Sequence, residues 1–153
     1  MNGLRDTFYR RAACHSIGRI VAQDFTTATL ITLRCTPAAA MPSDFAKRLF
    51  SSWTYRARRI AGSAFPFIRV TDFGQLPIPE IVFYVIADLP VSVCRAACNE
   101  WHMGDASACL LSEDGIDRIV RAVVNQSNVR HNRIWSYCGS RGRPAQRPLE
   151  QAQ

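Results

Sequence analysis

Lysine is nearly missing from these 153 residues: Lys47 stands alone beside 18 arginines. A coding-composition bias produces such an asymmetry by itself, so the ratio assigns nothing. Long apolar runs are missing too. The best candidate, 78–87, is broken by Pro79 and Glu80, and none approaches the ~18–20 residues that cross a bilayer. A membrane-spanning helix is therefore not expected. The first residues lack a basic region leading into an apolar one, so no secretory signal is expected. Segment 1–24 is Arg-rich but contains Asp6 and Asp24 and little serine, which argues against a transit peptide. The expected location is the cytoplasm, where the six cysteines remain thiols rather than a disulfide framework. Also absent are HExxH, His-x-His, a nucleophile elbow and a phosphate-binding glycine loop. His15, His102 and His131 stand apart, and the acids are scattered with no close pair for acid–base work. No catalytic set and no cofactor motif is visible.

What is present is enough apolar material, 48% of the chain, to build one real core. One domain is expected at this length. It divides into an N-terminal extension (1–25), an α+β core (26–127) and an Arg/Gly/Pro-rich C-terminal segment (128–153). Charge is uneven. Between Phe45 and Arg69 lie six basic residues (Lys47, Arg48, Arg56, Arg58, Arg59, Arg69) and no acid. Between Arg118 and Arg147 lie seven arginines, again with no acid. Two acid-free basic stretches point to a surface that attracts a polyanion; a solvated helix face plus a basic tail is the plainer alternative. The candidate contacts are Lys47, Arg48, Arg56, Arg58, Arg59, Arg118, Arg121, Arg130, Arg133, Arg141 and Arg143. Trp135 and Tyr137 are available for base stacking.

Periodicity supplies the elements. Residues 26–35 are β-branched and apolar, a buried strand closed by Thr36-Pro37. Ser43 or Asp44 caps a helix from about 45 to 61, whose Phe45, Leu49, Trp53 and Ile60 define one buried face, and Gly62 ends it. Residues 65–73 alternate as a strand. A turn with two prolines follows, then 80–87, a near-continuous apolar run that reads as a central strand. A short helix (91–101), a short strand (106–111) and a helix from Ser112 to about Asn125 complete the core. The order β-α-β-β-α-β-α is a split βαβ, ferredoxin-like plan: an antiparallel sheet with helices on one face. The tail from Asn128 is expected to be irregular.

Cys94, Cys98 and His102 share one helical stripe, and with Cys109 they could make a Cys₃His zinc set. The second ligand pair of a structural zinc site is missing, and small buried thiols explain the cysteines as well. Gly139-Ser140-Arg141-Gly142-Arg143 is a basic segment whose backbone could cradle phosphate.

Three further stretches go together. Gly115-Ile116-Asp117-Arg118-Ile119-Val120-Arg121-Ala122-Val123 follows the fourth strand. Gly74-Gln75-Leu76-Pro77-Ile78-Pro79 precedes the central strand. Arg133-Ile134-Trp135-Ser136-Tyr137-Cys138-Gly139-Ser140-Arg141-Gly142-Arg143-Pro144 lies in the tail. With the element order, and with a helix ending in Trp101, they resemble the rolling-circle replication initiators of plasmids and small phages, HUH endonucleases on a ferredoxin-like fold. In that family two histidines before the central strand hold a divalent metal, and a tyrosine on the later helix attacks the phosphate. Here the histidine positions read Pro77 and Pro79, the tyrosine position Ile119 or Val123, and the accompanying lysine position Ala122. A proline cannot bind a metal and an isoleucine cannot attack phosphorus. The resemblance thus implies a fold that holds nucleic acid without the nickase chemistry. It would be a non-enzymatic binder of mobile-element origin, acting in a bacterial host's cytoplasm. By analogy with anti-CRISPR proteins, such a binder would dock on a host nucleic-acid-handling complex and inhibit it. The alternative is a DNA- or RNA-binding accessory protein in phage or plasmid replication.

Overall fold

The structure, a computed structural model, describes residues 3–35, 43–73, 80–124 and 135–139. In chain order these form α1 (Gly3–Asp24), β1 (Ala28–Arg34), α2 (Ser43–Ala61), β2 (Phe67–Asp72), β3 (Val82–Asp88), α3 (Val91–Cys98), β4 (Ala106–Leu110), α4 (Gly115–Val124) and β5 (Trp135–Cys138).

The five strands make one sheet in the order β4-β1-β3-β2-β5, with every neighbouring pair antiparallel. β3 lies between β1 and β2, and β1 lies between β3 and β4. That interleaving is the split βαβ arrangement expected from the sequence. β2 and β3 are buried on both faces, as the patterns of Phe67–Asp72 and Val82–Asp88 show. A doubly buried strand reads as a continuous apolar run rather than a clean alternation.

Both faces are buried because both carry helices. On the front, Ala46, Phe50, Trp53 and Ala57 of α2 and Cys94 and Ala97 of α3 pack on Ile31, Leu33, Phe67, Phe83 and Val85. On the back, Ala13, Ile17 and Ile20 of α1 and Ile119, Val120, Val123 and Val124 of α4 pack on Ile68, Val70, Ile86, Trp135 and Tyr137. The expectation of helices on one face therefore holds for α2 and α3 only. The correction has a simple cause: β2 and β3 present apolar side chains in both directions, and the back set needs a cover as much as the front set. α1 supplies half of that cover, so the N-terminal stretch is built into a core.

Two other expectations are corrected. The buried face of α2 is Ala46-Phe50-Trp53-Ala57, whereas Phe45 and Ile60 are 46% and 40% exposed. The helix is rotated relative to the expected Phe45-Leu49-Trp53-Ile60 stripe, so that Ala46, Phe50, Trp53 and Ala57 face the core instead. The stretch 135–138 is strand β5 rather than irregular, paired to β2 with Ile68 opposite Tyr137 and Val70 opposite Trp135. The expected turn at 74–79 and the tail from 140 onward lie outside the described residues.

Candidate anion-binding cleft

Strand pleat fixes which side chains of β2 look forward. Phe67 and Arg69 share the front face, while Ile68 and Val70 join the back core. Register then sets their neighbours on β5: Phe67 is opposite Cys138 and Arg69 is opposite Ser136. α2 lies on the front beside this β2–β5 edge. Ser51, Thr54 and Arg58 fall at i, i+3 and i+7 on its flank, next to the buried Phe50. Between that flank and the strands is a partly open cleft of about 220 Å³, lined by Phe50, Ser51, Thr54, Arg58, Phe67, Arg69, Ser136 and Cys138.

The floor is aromatic and rigid. Phe50 meets Phe67 at 6.1 Å and Phe83 at 4.8 Å between ring centroids. The Arg69 guanidinium carbon lies 5.5 Å from the Phe50 centroid, a cation–π contact that restrains its side chain. The Thr54 hydroxyl donates to the Phe50 carbonyl at 2.9 Å, so its proton is committed and it faces the cleft as an acceptor. Among the described residues that line the cleft, none is acidic. Asp72, the acid nearest on β2, falls on the back face by the pleat.

The sequence-derived contacts separate into groups. Lys47 is exposed one turn before Ser51 on the cleft-side flank of α2. Arg48 and Arg59 are exposed on the outer ridge, with Tyr55 between them, 62% exposed. Arg58 is half-buried in the cleft wall. Arg56 points the other way: it donates to Ser52 Oγ at 2.8 Å and to the Glu100 carbonyl at 3.1 Å, and it lies 3.8 Å from the Glu100 carboxylate. It ties α2 to the turn after α3 and is not available to a ligand.

Arg118 and Arg121 are exposed on α4, behind the sheet, so these two do not share a surface with the arginines of α2. Arg121 is paired with Asp117 at 2.7 Å, and Arg118 donates to Ser112 Oγ at 3.2 Å. Arg130, Arg133, Arg141 and Arg143 lie outside the described residues.

Trp135 and Tyr137 are 8% and 4% exposed, and the Tyr137 hydroxyl donates to Asp24 Oδ2 at 3.2 Å. Both rings are back-core residues, so their expected role in base stacking is corrected: a buried ring offers no face to a base. The zinc set does not assemble. Cys94 and Cys98 sit on the front, His102 is exposed, and Cys109 pairs with Leu30 on the back face. Among the described residues, no group of three or more His, Cys, Asp or Glu is placed to hold a metal. Ile119 and Val123, at the positions where the resembled family carries its tyrosine, are buried in the back core.

Sequence reasoning missed Arg69, Ser51, Thr54, Ser136 and Cys138 as partners in one place. The available signals were the Phe67/Arg69 alternation and the aromatic–polar–aromatic pattern of Trp135-Ser136-Tyr137, which is a strand signature. Compared with known proteins, the chain matches no family model, no curated protein and no solved structure.

Proposed function

We propose that this chain is a non-catalytic binding protein whose ligand is a nucleic acid, free or within a host nucleoprotein complex, engaged by α2 and the cleft beside it. One observation carries the reading: Lys47, Arg48 and Arg59 are exposed on α2 beside a cleft whose described lining holds Arg58, Arg69 and hydroxyls and, among the described residues, no acid. Lys47 continues the same flank, and Arg48, Tyr55 and Arg59 form the ridge above it. Guanidinium groups beside neutral hydroxyl donors suit phosphate oxygens. An exposed tyrosine between two arginines suits a base.

The role inside a cell rests on the resemblance to rolling-circle initiators and not on the cleft. On that basis the protein is an inhibitor that occupies a host nucleic-acid-handling complex, in the manner of anti-CRISPR proteins. An accessory role in phage or plasmid replication is the alternative.

The test is a mobility-shift titration of the whole protein against short single- and double-stranded DNA and RNA at about 50 and 200 mM salt. The expected result is binding that weakens steeply with salt, with the logarithmic slope falling by about one for each phosphate contact removed in Lys47→Gln, Arg58→Gln and Arg69→Gln. Salt-insensitive binding, or slopes that these variants leave unchanged, would reject the α2 surface. Capture of a nucleoprotein complex without binding to free nucleic acid would favour the inhibitor role over the accessory one.

A further inference from the structure

The sheet has an open edge. In the order β4-β1-β3-β2-β5, β4 stands at one end, and among the described residues no strand lies beyond it. The hydrogen-bond phase fixes which groups face outward. The Arg34 amide donates to the Asp105 carbonyl at 2.9 Å, and the Leu111 amide donates to the Ala28 carbonyl at 3.1 Å. Residues 105, 107, 109 and 111 therefore turn their N–H and C=O groups toward β1. In an antiparallel ladder the alternate residues turn theirs the other way. The N–H and C=O groups of Ala106, Ala108 and Leu110 thus point away from the sheet in one row.

Such a row is a template for another strand, and edges are commonly blunted by lysine, proline or a bulge. β4 reads Ala-Ser-Ala-Cys-Leu and pairs with β1 without a break. Between 96 and 117 there is no lysine or arginine, although the chain carries 19 in all. Leu110 is 66% exposed on this edge.

The edge is complementary to itself. A twofold axis through Ala108 sets Ala108 against its own copy and Ala106 against the copy's Leu110. All three outward residues then fall in hydrogen-bonded pairs, and no outward donor or acceptor of either β4 is left over. Side chains agree. Ala106, Ala108 and Leu110 share the front face by the pleat, where Ala106 and Ala108 already pack at the margin of the front core. The copy's Leu110 comes over small Ala106, so each exposed leucine is covered by the other chain. We propose that β4 pairs antiparallel with β4 of a second copy of this chain about an axis at Ala108, joining two five-stranded sheets into one. α2 stands beside the β2–β5 edge, so the pairing leaves it open, and the dimer carries two such faces.

The test measures the mass of the full chain by sedimentation equilibrium across a concentration series under reducing conditions. The expected result is a monomer–dimer equilibrium. Ala108→Pro removes a donor that points away from β1, so the ladder within the monomer stays intact. It should weaken the dimer at least about tenfold, since the pair of bonds at the axis is lost. Leu110→Lys, at an exposed position, should weaken it comparably by placing charge on the edge. Urea midpoints close to the parent's check that both variants fold. The dimer should tighten between about 50 and 200 mM salt, because two chains of net charge +7 repel each other. Nucleic-acid binding runs the other way with salt, so the two readings fail separately.

Ser107→Cys reads the register. Ser107 faces the copy's Cys109 in a non-hydrogen-bonded pair, with Cα atoms about 4.5 Å apart. Oxidised glutathione should therefore link the introduced thiol to Cys109 of the other copy, two thiols giving one disulfide and two molecules of reduced glutathione. The two Cys109 residues lie on the diagonal, about 7–8 Å apart, too far to bridge each other. Adding Cys109→Ser should abolish the link. A chain that stays monomeric, a dimer that both edge variants leave intact, open-ended growth beyond the dimer, or a link that survives Cys109→Ser would each overturn the pairing.

Discussion

Two buried indoles hold the front layer in place. Trp53 Nε1 donates to the Ala97 carbonyl at 2.9 Å, joining α2 to α3, and Trp101 Nε1 donates to the Arg34 carbonyl at 2.8 Å, joining the turn after α3 to the end of β1. Each bond satisfies a polar atom that the apolar ring carries into the core. Trp53→Phe keeps most of the ring and removes one bond, and Ala97 O still accepts from the Glu100 amide at 3.0 Å. The expected loss is therefore about 1–2 kcal/mol, read as a lower urea midpoint with an unchanged slope. Trp53→Ala should cost about 3–5 kcal/mol. Trp53 was legible as a core residue from spacing alone. Ala46 and Ala57, on the same buried face, were not, because a hydrophobic template is drawn to large side chains.

At the scale of elements, the strands and helices from β1 to α4 were readable because their periodicities are clean and their ends carry capping and turn residues. α1 and β5 were not. α1 buries only Ala13, Ser16, Ile17 and Ile20 among its described side chains, and it leaves Phe8 76% exposed, so its apolar stripe is faint. β5 is four residues long in an Arg- and Gly-rich context that reads as a tail. Composition of the surroundings outweighed the local alternation, and the site was lost with the strand, since half of its strand wall is Ser136 and Cys138.

The reassignment of Trp135 gives a sharp expectation. As a back-core residue its change to Ala should destabilise the protein by about 3–5 kcal/mol. Under conditions where the variant remains folded, binding to nucleic acid should change far less. A Trp135→Ala protein of unaltered stability that loses affinity would restore the stacking role.

Across the whole molecule, the buried thiols share one direction. Burial pushes Cys35 and Cys94 up to about 11, with Glu80 adding to the rise at Cys35; burial also raises Cys14, Cys98 and Tyr84. In the unfolded chain a thiol ionises near ~8.5. Between those values the unfolded state releases protons that the folded state keeps, so the folded state binds more protons and stability falls as pH rises. The contribution is complete below about pH 8.5 and is lost progressively toward about pH 11. The urea midpoint should drop between about pH 8 and pH 10.5, and Cys35→Ala with Cys94→Ala should flatten that drop while lowering the starting value. An equal drop in the double variant would place the alkaline sensitivity elsewhere. The distribution of arginine was legible in the sequence as two acid-free stretches. That Arg118 and Arg121 stand behind the sheet, away from α2, was not, because it depends on which helix covers which side.

The back layer joins residues far apart in sequence: Tyr137 to Asp24, and Cys14 to Asp117. α1 precedes the other described helices in the chain, and the core that its Ala13-Ile17-Ile20 stripe shares with β2, β3, α4 and β5 is complete only once α4 and β5 have been made. The front layer of α2 and α3 closes over β1 to β4 earlier, from nearer contacts, as the cost of loop closure favours. The back layer is therefore completed last in chain order, and a chain cut before α4 would leave part of an apolar sheet face open to a chaperone or to a neighbouring chain.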